Sequence, residues 1–266
     1  MQTKTFLSLA GVRKLALGLL AAVIVTTRVM GAEAPAAGDL ADGQALWTAL
    51  HGHLSVGLRS TVFWLEDSER DPTATSAAQG SFYGSITELK AKQDYLPYKL
   101  FVDYLFCPYG GLELTWDRVE ADTITRLDGH NDGTVTANMP MLAVYGRYPN
   151  DIGIVPYAGA GIGYAFTQFE ADYHWTHAIR PDGEYHNGPY WHQTFAMNDS
   201  WGWFVYAGVA FALSQHWDLD MFIRHEGLDL KGTHNTYVGD YQTSDPADFS
   251  LPFNNDALGV GVRYLF

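Results

Sequence analysis

The chain has 266 residues, with 30 acidic and 16 basic side chains and a formal net charge of −14. This acidity argues against a nucleic-acid-binding surface, because phosphate groups are bound mainly by Lys and Arg. Its single cysteine, Cys107, rules out an internal disulfide. Apolar residues make up 47% of the chain and aromatic residues 14%. A membrane barrel and a secreted β-sandwich share such a composition, so the pattern of segments must decide between them.

The N-terminus has the features of a secretory signal. Lys4, Arg13 and Lys14 form a basic start, and residues 15–25 are uncharged and apolar. That run is shorter than the roughly 20 residues of a membrane-spanning helix, so we predict export with cleavage after Ala32. Removal of residues 1–32 would leave 12 basic residues against 30 acidic ones, a formal charge of −18. We expect residues 33–52 to be a periplasmic lead-in.

Apolar and polar side chains alternate along eight later segments. In the last one, Val260, Val262 and Tyr264 lie on one face of an extended strand, and Arg263 lies on the other. An apolar face for lipid and a polar face for a lumen are typical of transmembrane barrel strands. The eight segments are residues 53–65, 98–106, 112–119, 141–148, 156–166, 201–213, 217–226 and 259–266.

The connections between these segments alternate in length. Short turns follow the second, fourth and sixth segments, and long polar stretches follow the first, third, fifth and seventh. Outer-membrane barrels have short periplasmic turns and long extracellular loops in this order. The sequence therefore predicts an all-β fold over residues 53–266, an eight-stranded antiparallel up-and-down transmembrane β-barrel. The protein would be integral to the outer membrane, with lipid and lipopolysaccharide as its surroundings.

Aromatic residues lie near both ends of the predicted strands, where interfacial belts are expected. Trp64, Trp116 and Trp203 are near the long loops, and Trp217 is near a short turn. The chain ends in GVGVRYLF, which resembles the C-terminal insertion signal of bacterial outer-membrane barrels. The resemblance implies recognition by the barrel-assembly machinery through two residues, Tyr264 and Phe266.

The second half of the chain resembles the outer-membrane protein W (OmpW) family. The similar stretches are VPYAGAGIGYAF at 155–166, NDSWGW at 198–203, the run at 208–233 and the terminal strand. The resemblance implies an eight-stranded barrel that acts as a narrow passive channel for small hydrophobic molecules, which pass through it and exit sideways into the bilayer.

Lumen residues follow from the alternation. An eight-stranded barrel is nearly filled by its own side chains, so we expect no open aqueous pore. Inward glycines on the fifth segment would leave space for a small apolar ligand. The aromatic residues can equally be plug and core, their commonest role. The candidate channel-lining residues are Phe101, Tyr157, Gly159, Gly161, Gly163, Phe204, Tyr206 and Phe222.

Charged residues of both signs are predicted to face the lumen. Charges removed from water must be paired, so we expect a structural ion-pair network, with a gated polar path as the alternative. Its predicted members are Arg59, Lys99, Asp103, Glu113, Asp117, Arg147, Asp218, Asp220, Arg224, Glu226 and Arg263.

A stretch between the fifth and sixth segments is rich in histidine. Imidazole and carboxylate groups there could bind zinc or copper, but their spacing is loose and no pair lies at a fixed helical register. We therefore interpret this stretch as a solvated surface loop and assign neither a metal nor a cofactor. Its histidines are His174, His177, His186 and His192.

One outward histidine bears on the question of an enzymatic function. Lipid A deacylases, also eight-stranded barrels, carry such a histidine followed two residues later by serine. Here His225 is followed by Gly227, so the nucleophile is missing and we predict no enzyme. The remaining alternative to a channel is a structural, adhesive or receptor protein that works through its long acidic loops.

Overall fold

The computed structural model describes residues 51–66, 69, 86–93, 99–125, 131–172, 191–238, 241–242 and 246–266. The predicted signal and nearly all of the lead-in lie outside these residues. The described part of the chain contains no helix, and so none long and apolar enough to span a membrane. Its thirteen strands are β1 (Leu54–Leu65), β2 (Ile86–Ala91), β3 (Lys99–Cys107), β4 (Gly110–Thr125), β5 (Asn131–Arg147), β6 (Ile154–Ala171), β7 (Trp191–Asn198), β8 (Ser200–Ala212), β9 (Trp217–Gly227), β10 (Asp229–Val238), β11 (Tyr241–Gln242), β12 (Ala247–Pro252) and β13 (Asn255–Leu265).

Eight of these strands close into an antiparallel barrel. The order around the wall is β1, β3, β4, β5, β6, β8, β9 and β13, and β13 pairs with β1. The ring closes along the whole of β1, from Ser55 opposite Leu265 to Leu65 opposite Asn255. Closure removes the free sheet edges that lipid cannot satisfy. The predicted eight-stranded barrel is confirmed.

Short turns lie at one end of the barrel, together with both ends of the described chain. The backbone amide of Arg147 donates to the carbonyl of Tyr109 at 2.8 Å, which ties two neighbouring turns. Gly153 has φ = 74° in the turn between β5 and β6, a conformation that glycine adopts without steric cost. The amide of Gly52 donates to the carbonyl of Phe266 at 2.7 Å, so the last strand is tied down at its end.

The opposite end contains more β-structure than the sequence pattern predicts. The strands β4, β5 and β6 have 16, 17 and 18 residues, well beyond the predicted segments. In stretches expected to be loops, β10 lies between β7 and β12, and β11 pairs with its far end. These strands continue β8, β9 and β13 after breaks at Asp199, Leu228 and residues 253–254. We call this sheet of β7, β10, β11 and β12 the upper sheet.

The polarity of the wall reverses along the barrel axis. On β4, Glu113 faces inward and is buried, while Trp116 is exposed on the outside. A few residues further, Val119 is buried inside and Arg118 is exposed outside. The lower wall is therefore apolar outside and charged inside, as a bilayer requires, and the upper wall is polar outside and apolar inside. The inward residues of the upper wall include Val119, Ala121, Val135 and Ala137.

Candidate functional site

The lower lumen is crossed by a chain of buried ion pairs. Arg59 is central to it: Nη1 lies 2.6 Å from Oε1 of Glu113, and Nε lies 2.8 Å from Oδ2 of Asp220. Arg263 lies 3.3 Å from Asp220 and 3.1 Å from Asp103. Each of these charges has an opposite charge beside it, as buried ions require.

A second group of charges lies beside the first. Asp117 contacts both Lys99 and Arg224, and Nη2 of Arg224 lies 3.4 Å from Oε2 of Glu226. Lys99 also donates to the hydroxyl of Thr61. We call the two groups together the charged belt, which consists of Arg59, Lys99, Asp103, Glu113, Asp117, Asp220, Arg224, Glu226 and Arg263.

Aromatic rings fill the space between these charges. The guanidinium carbon of Arg59 lies 3.7 Å from the ring centroid of Phe101 and 4.7 Å from that of Phe222. A cation over an aromatic face is attracted by the ring quadrupole, more strongly where water is excluded. The hydroxyl of Tyr157 donates to Oδ1 of Asp220 at 2.6 Å. The charged belt and these rings therefore pack against one another in the lower lumen.

The three inward glycines of β6 do not leave open space. A Cβ atom on Gly161 would lie 2.6 Å from Cζ of Phe204, and one on Gly159 would lie 2.7 Å from Cε1 of Tyr206. At Gly163 the nearest atom is Sδ of Met139, also at 2.6 Å. The prediction of a ligand space here is wrong, because neighbouring side chains pack directly onto the glycine backbone.

Two predicted members of the network remain apart from the charged belt. Neither Arg147 nor Asp218 forms an ion pair within the described part of the chain. Arg147 is the last residue of β5, before a short turn, and Asp218 is the second residue of β9, so both lie near the periplasmic end of the barrel. Both side chains are half-buried there.

The two residues of the predicted insertion signal lie at the same end. The ring centroids of Tyr264 and Phe266 are 5.0 Å apart, and that of Trp217 is 5.1 Å from Tyr264. All three rings meet edge to face, a favoured aromatic geometry. They form part of the periplasmic aromatic girdle.

The junction between barrel and upper sheet includes residues that sequence reasoning missed. Leu228 is buried, and its amide donates to Oδ1 of Asn254 at 2.8 Å. Asn255 is fully buried beside Glu226, its partner across the strands. Extending the alternation backwards from Ala257 would have marked Asn255 as inward, because period 2 continues into the start of β13.

A concavity of about 580 Å³ lies at the same junction, where β8, β9 and β13 are interrupted. Its lining is mixed, with apolar and aromatic side chains beside polar and charged ones: Asp199, Ser200, Trp201, Trp203, His225, Gly227, Leu228, Asp229, Lys231 and Asn254. Leu228 also belongs to the apolar interior of the upper wall. The concavity therefore adjoins that interior at the point where the barrel wall is interrupted.

The side chains of the histidine-rich stretch are not among those that the structure describes. His174, His177 and His186 lie outside the described residues, as does the side chain of His192. The interpretation of this stretch as a solvated loop remains a prediction.

A closed antiparallel barrel with an apolar outer wall, a charged interior and aromatic residues at both rims is an integral outer-membrane protein. A family model described as outer membrane protein beta-barrel domain matches residues 72–266. The chain belongs to this family. The predicted location in the outer membrane is thereby confirmed. The predicted resemblance to the OmpW family is consistent with membership of this barrel family.

Solved structures share the fold. OprG from Pseudomonas aeruginosa is 13% identical, with a TM-score of 0.53, over 80% of this chain and 96% of that one. The outer membrane protein AlkL, solved in lipid bilayers, is 14% identical, with a TM-score of 0.52, over 81% and 90%. Outer membrane protein W of E. coli is 20% identical over 81% and 98%, with a TM-score of 0.46. No curated protein sequence matches this chain significantly.

Proposed function

We propose that this barrel is a passive channel that carries small hydrophobic molecules from the outside into the membrane. The observation that supports the proposal most is the change of the interior along the barrel axis. Above the charged belt most of the inward residues are apolar, for example Val135, Ala137 and Met139. An apolar solute gains free energy by leaving water for such surroundings, at about 25 cal/mol per Å² of buried apolar surface.

The charged belt makes a straight path to the periplasm unfavourable for an apolar solute. Passage would have to separate Arg59 from Glu113 and Asp220, and a buried charge without its partner costs several kcal/mol. The path of lower cost leads sideways at Leu228, where the wall strands are interrupted and the concavity faces outward. In this proposal the charged belt directs the solute into the bilayer.

The test is uptake of a fluorescent apolar probe by cells that produce the protein. Leu228→Arg places a charge between the apolar interior and the concavity, and we expect slower uptake. Gln168→Arg adds the same charge to the exposed outer face of β6 and is the matched control. Circular dichroism of both purified variants establishes that the barrels fold. Equal uptake by folded Leu228→Arg and Gln168→Arg would contradict the proposal.

The upper sheet supports a second candidate function, as a receptor or adhesive surface. Regular strands with a polar outer face offer a more fixed surface than loops alone, and fixed surfaces lose less entropy on binding. Removal of residues 239–246, which takes β11 away from the upper sheet, would then abolish binding of a partner and leave probe uptake unchanged.

A further inference from the structure

Three side chains with metal-binding atoms meet on the outer face of the wall, near its extracellular rim. Glu66 follows β1, His225 is near the end of β9, and Asp256 is at the start of β13. One ligand atom from each lies within 4.8 Å of the other two. Nδ1 of His225 is 2.9 Å from Oδ1 of Asp256 and 3.7 Å from Oε1 of Glu66.

The register of three neighbouring strands brings these three side chains together. Asp256 is the cross-strand partner of His225 on one side and of Trp64 on the other. Glu66 follows Trp64 by two residues and so points to the same outer face. Barrel closure therefore fixes all three positions, although the residues are far apart in sequence.

The electrostatic balance of the cluster favours a cation. Two carboxylates lie close together, and within the described part of the chain neither forms an ion pair with Lys or Arg. The chain as a whole carries a formal charge of −14, so its surface also attracts cations.

We propose that Glu66, His225 and Asp256 bind a divalent transition-metal ion. The ligand set indicates the class of ion, because imidazole suits zinc and similar ions better than magnesium or calcium. Zinc sites hold their nitrogen and oxygen ligands at about 2.0–2.2 Å from the metal, so the spacings between the three atoms must adjust somewhat. The half-exposed side chains have the freedom to do so, and they leave further coordination positions open to water.

The surroundings of the cluster are consistent with a built site. The ring of Trp203 lies 5.4 Å from that of His225, and the amide of Glu66 donates to the carbonyl of Asn254 at 2.8 Å. The bound ion would connect the ends of β1, β9 and β13 just below the break that leads to the upper sheet. A metal that binds only the folded barrel would raise its stability.

The experiment is a calorimetric titration of Zn²⁺ into untagged, refolded protein in detergent. The background variant carries alanine at positions 174, 177, 186 and 192, which removes the imidazoles of the histidine-rich stretch. We expect one Zn²⁺ site, weakened at least tenfold by His225→Ala and also weakened by Asp256→Asn. His216→Ala removes another exposed histidine, at the periplasmic end, and should leave binding unchanged.

Two further measurements complete the test. Zn²⁺ should raise the unfolding temperature of the background variant and not that of its His225→Ala derivative. A large excess of Ca²⁺ should not displace Zn²⁺, because calcium prefers oxygen ligands. Zn²⁺ affinity that is unaffected by His225→Ala, or full displacement by Ca²⁺, would overturn the proposal. If the background variant fails to fold, loss of one Zn²⁺ per chain on His225→Ala in the natural sequence tests the same site.

Discussion

Arg59 and Asp220 are separated by 161 residues in the chain, yet Nε of one lies 2.8 Å from Oδ2 of the other in the closed lumen. Asp220 is fully buried and also contacts Arg263 and the hydroxyl of Tyr157. It is thus the one carboxylate that joins both arginines of the first group of the charged belt. Its charge is important to the barrel because two buried guanidinium groups depend on it.

Asp220→Asn should therefore destabilise the barrel without changing its shape. Loss of one partner leaves buried charge uncompensated, and such losses cost about 3–5 kcal/mol. Urea unfolding in lipid vesicles, followed by tryptophan fluorescence, measures the change. Glu120→Gln is the control, since its pair with Arg118 is partly exposed and is worth about 1 kcal/mol or less. Equal stabilities of the two variants would contradict this prediction.

Gly259→Ala should destabilise the terminal strand through a single neighbour. The added Cβ would lie 2.1 Å from Cε1 of Phe222, and its three nearest atoms all belong to that ring. Overpacking of this kind costs about 1–3 kcal/mol. The double variant Gly259→Ala/Phe222→Leu should recover part of the loss. A double-mutant cycle in urea measures the coupling, and strictly additive effects would exclude a clash between these two residues.

Acidification should loosen the upper sheet at His234. Burial lowers the pKa of this imidazole below its ordinary 6.5, and its ring lies 4.9 Å from that of Phe195. Below pH 6.5 the unfolded segment binds a proton more readily than the folded one, so stability falls as the pH decreases further. Limited proteolysis at pH 7.5 and pH 5.0 should show faster cleavage within 229–252 at the lower pH. In His234→Phe, measured at the same two pH values, this extra sensitivity should be absent.

Phe266→Ala should impair assembly in cells more than refolding in vitro. The backbone of residue 266 bonds to Gly52 and Leu54, and alanine can keep both bonds. If the barrel-assembly machinery recognises the aromatic terminus, most of the variant should accumulate unfolded in the periplasm, while purified protein refolds normally. Tyr148→Ala removes another exposed aromatic ring near the periplasmic end and should assemble normally. Normal assembly of Phe266→Ala would exclude this role.

Alternation alone predicted the eight wall strands and the inward direction of Arg59 and Asp220. It could not pair them, because the height at which two inward residues meet depends on the stagger between strands around the whole closed sheet. The same limit applies to Glu66, His225 and Asp256. The sequence predicts that His225 faces outward, but Glu66 and Asp256 lie outside the predicted segments, and the meeting of the three residues depends on the registers of β1, β9 and β13.

The upper sheet is hard to predict from the sequence for a different reason. In β10 and β12, inward residues such as Leu230 and Leu251 alternate with polar ones, so period 2 is present. The polar positions dominate the composition, and without an apolar side for lipid these stretches resemble loops in sequence. Above the membrane the outer face meets water, and the inner face is the apolar one.

The reversal of polarity along β4 also sets the depth at which the barrel is immersed. If the barrel sank by two residues, Arg118 would approach the hydrocarbon, where a charge on the outer wall costs up to about 2–4 kcal/mol at the midplane. If it rose by two residues, Trp116 would leave the interface that its ring prefers. The depth of the barrel in the bilayer is therefore fixed by its own wall, so the lipid must adjust its local thickness to the protein.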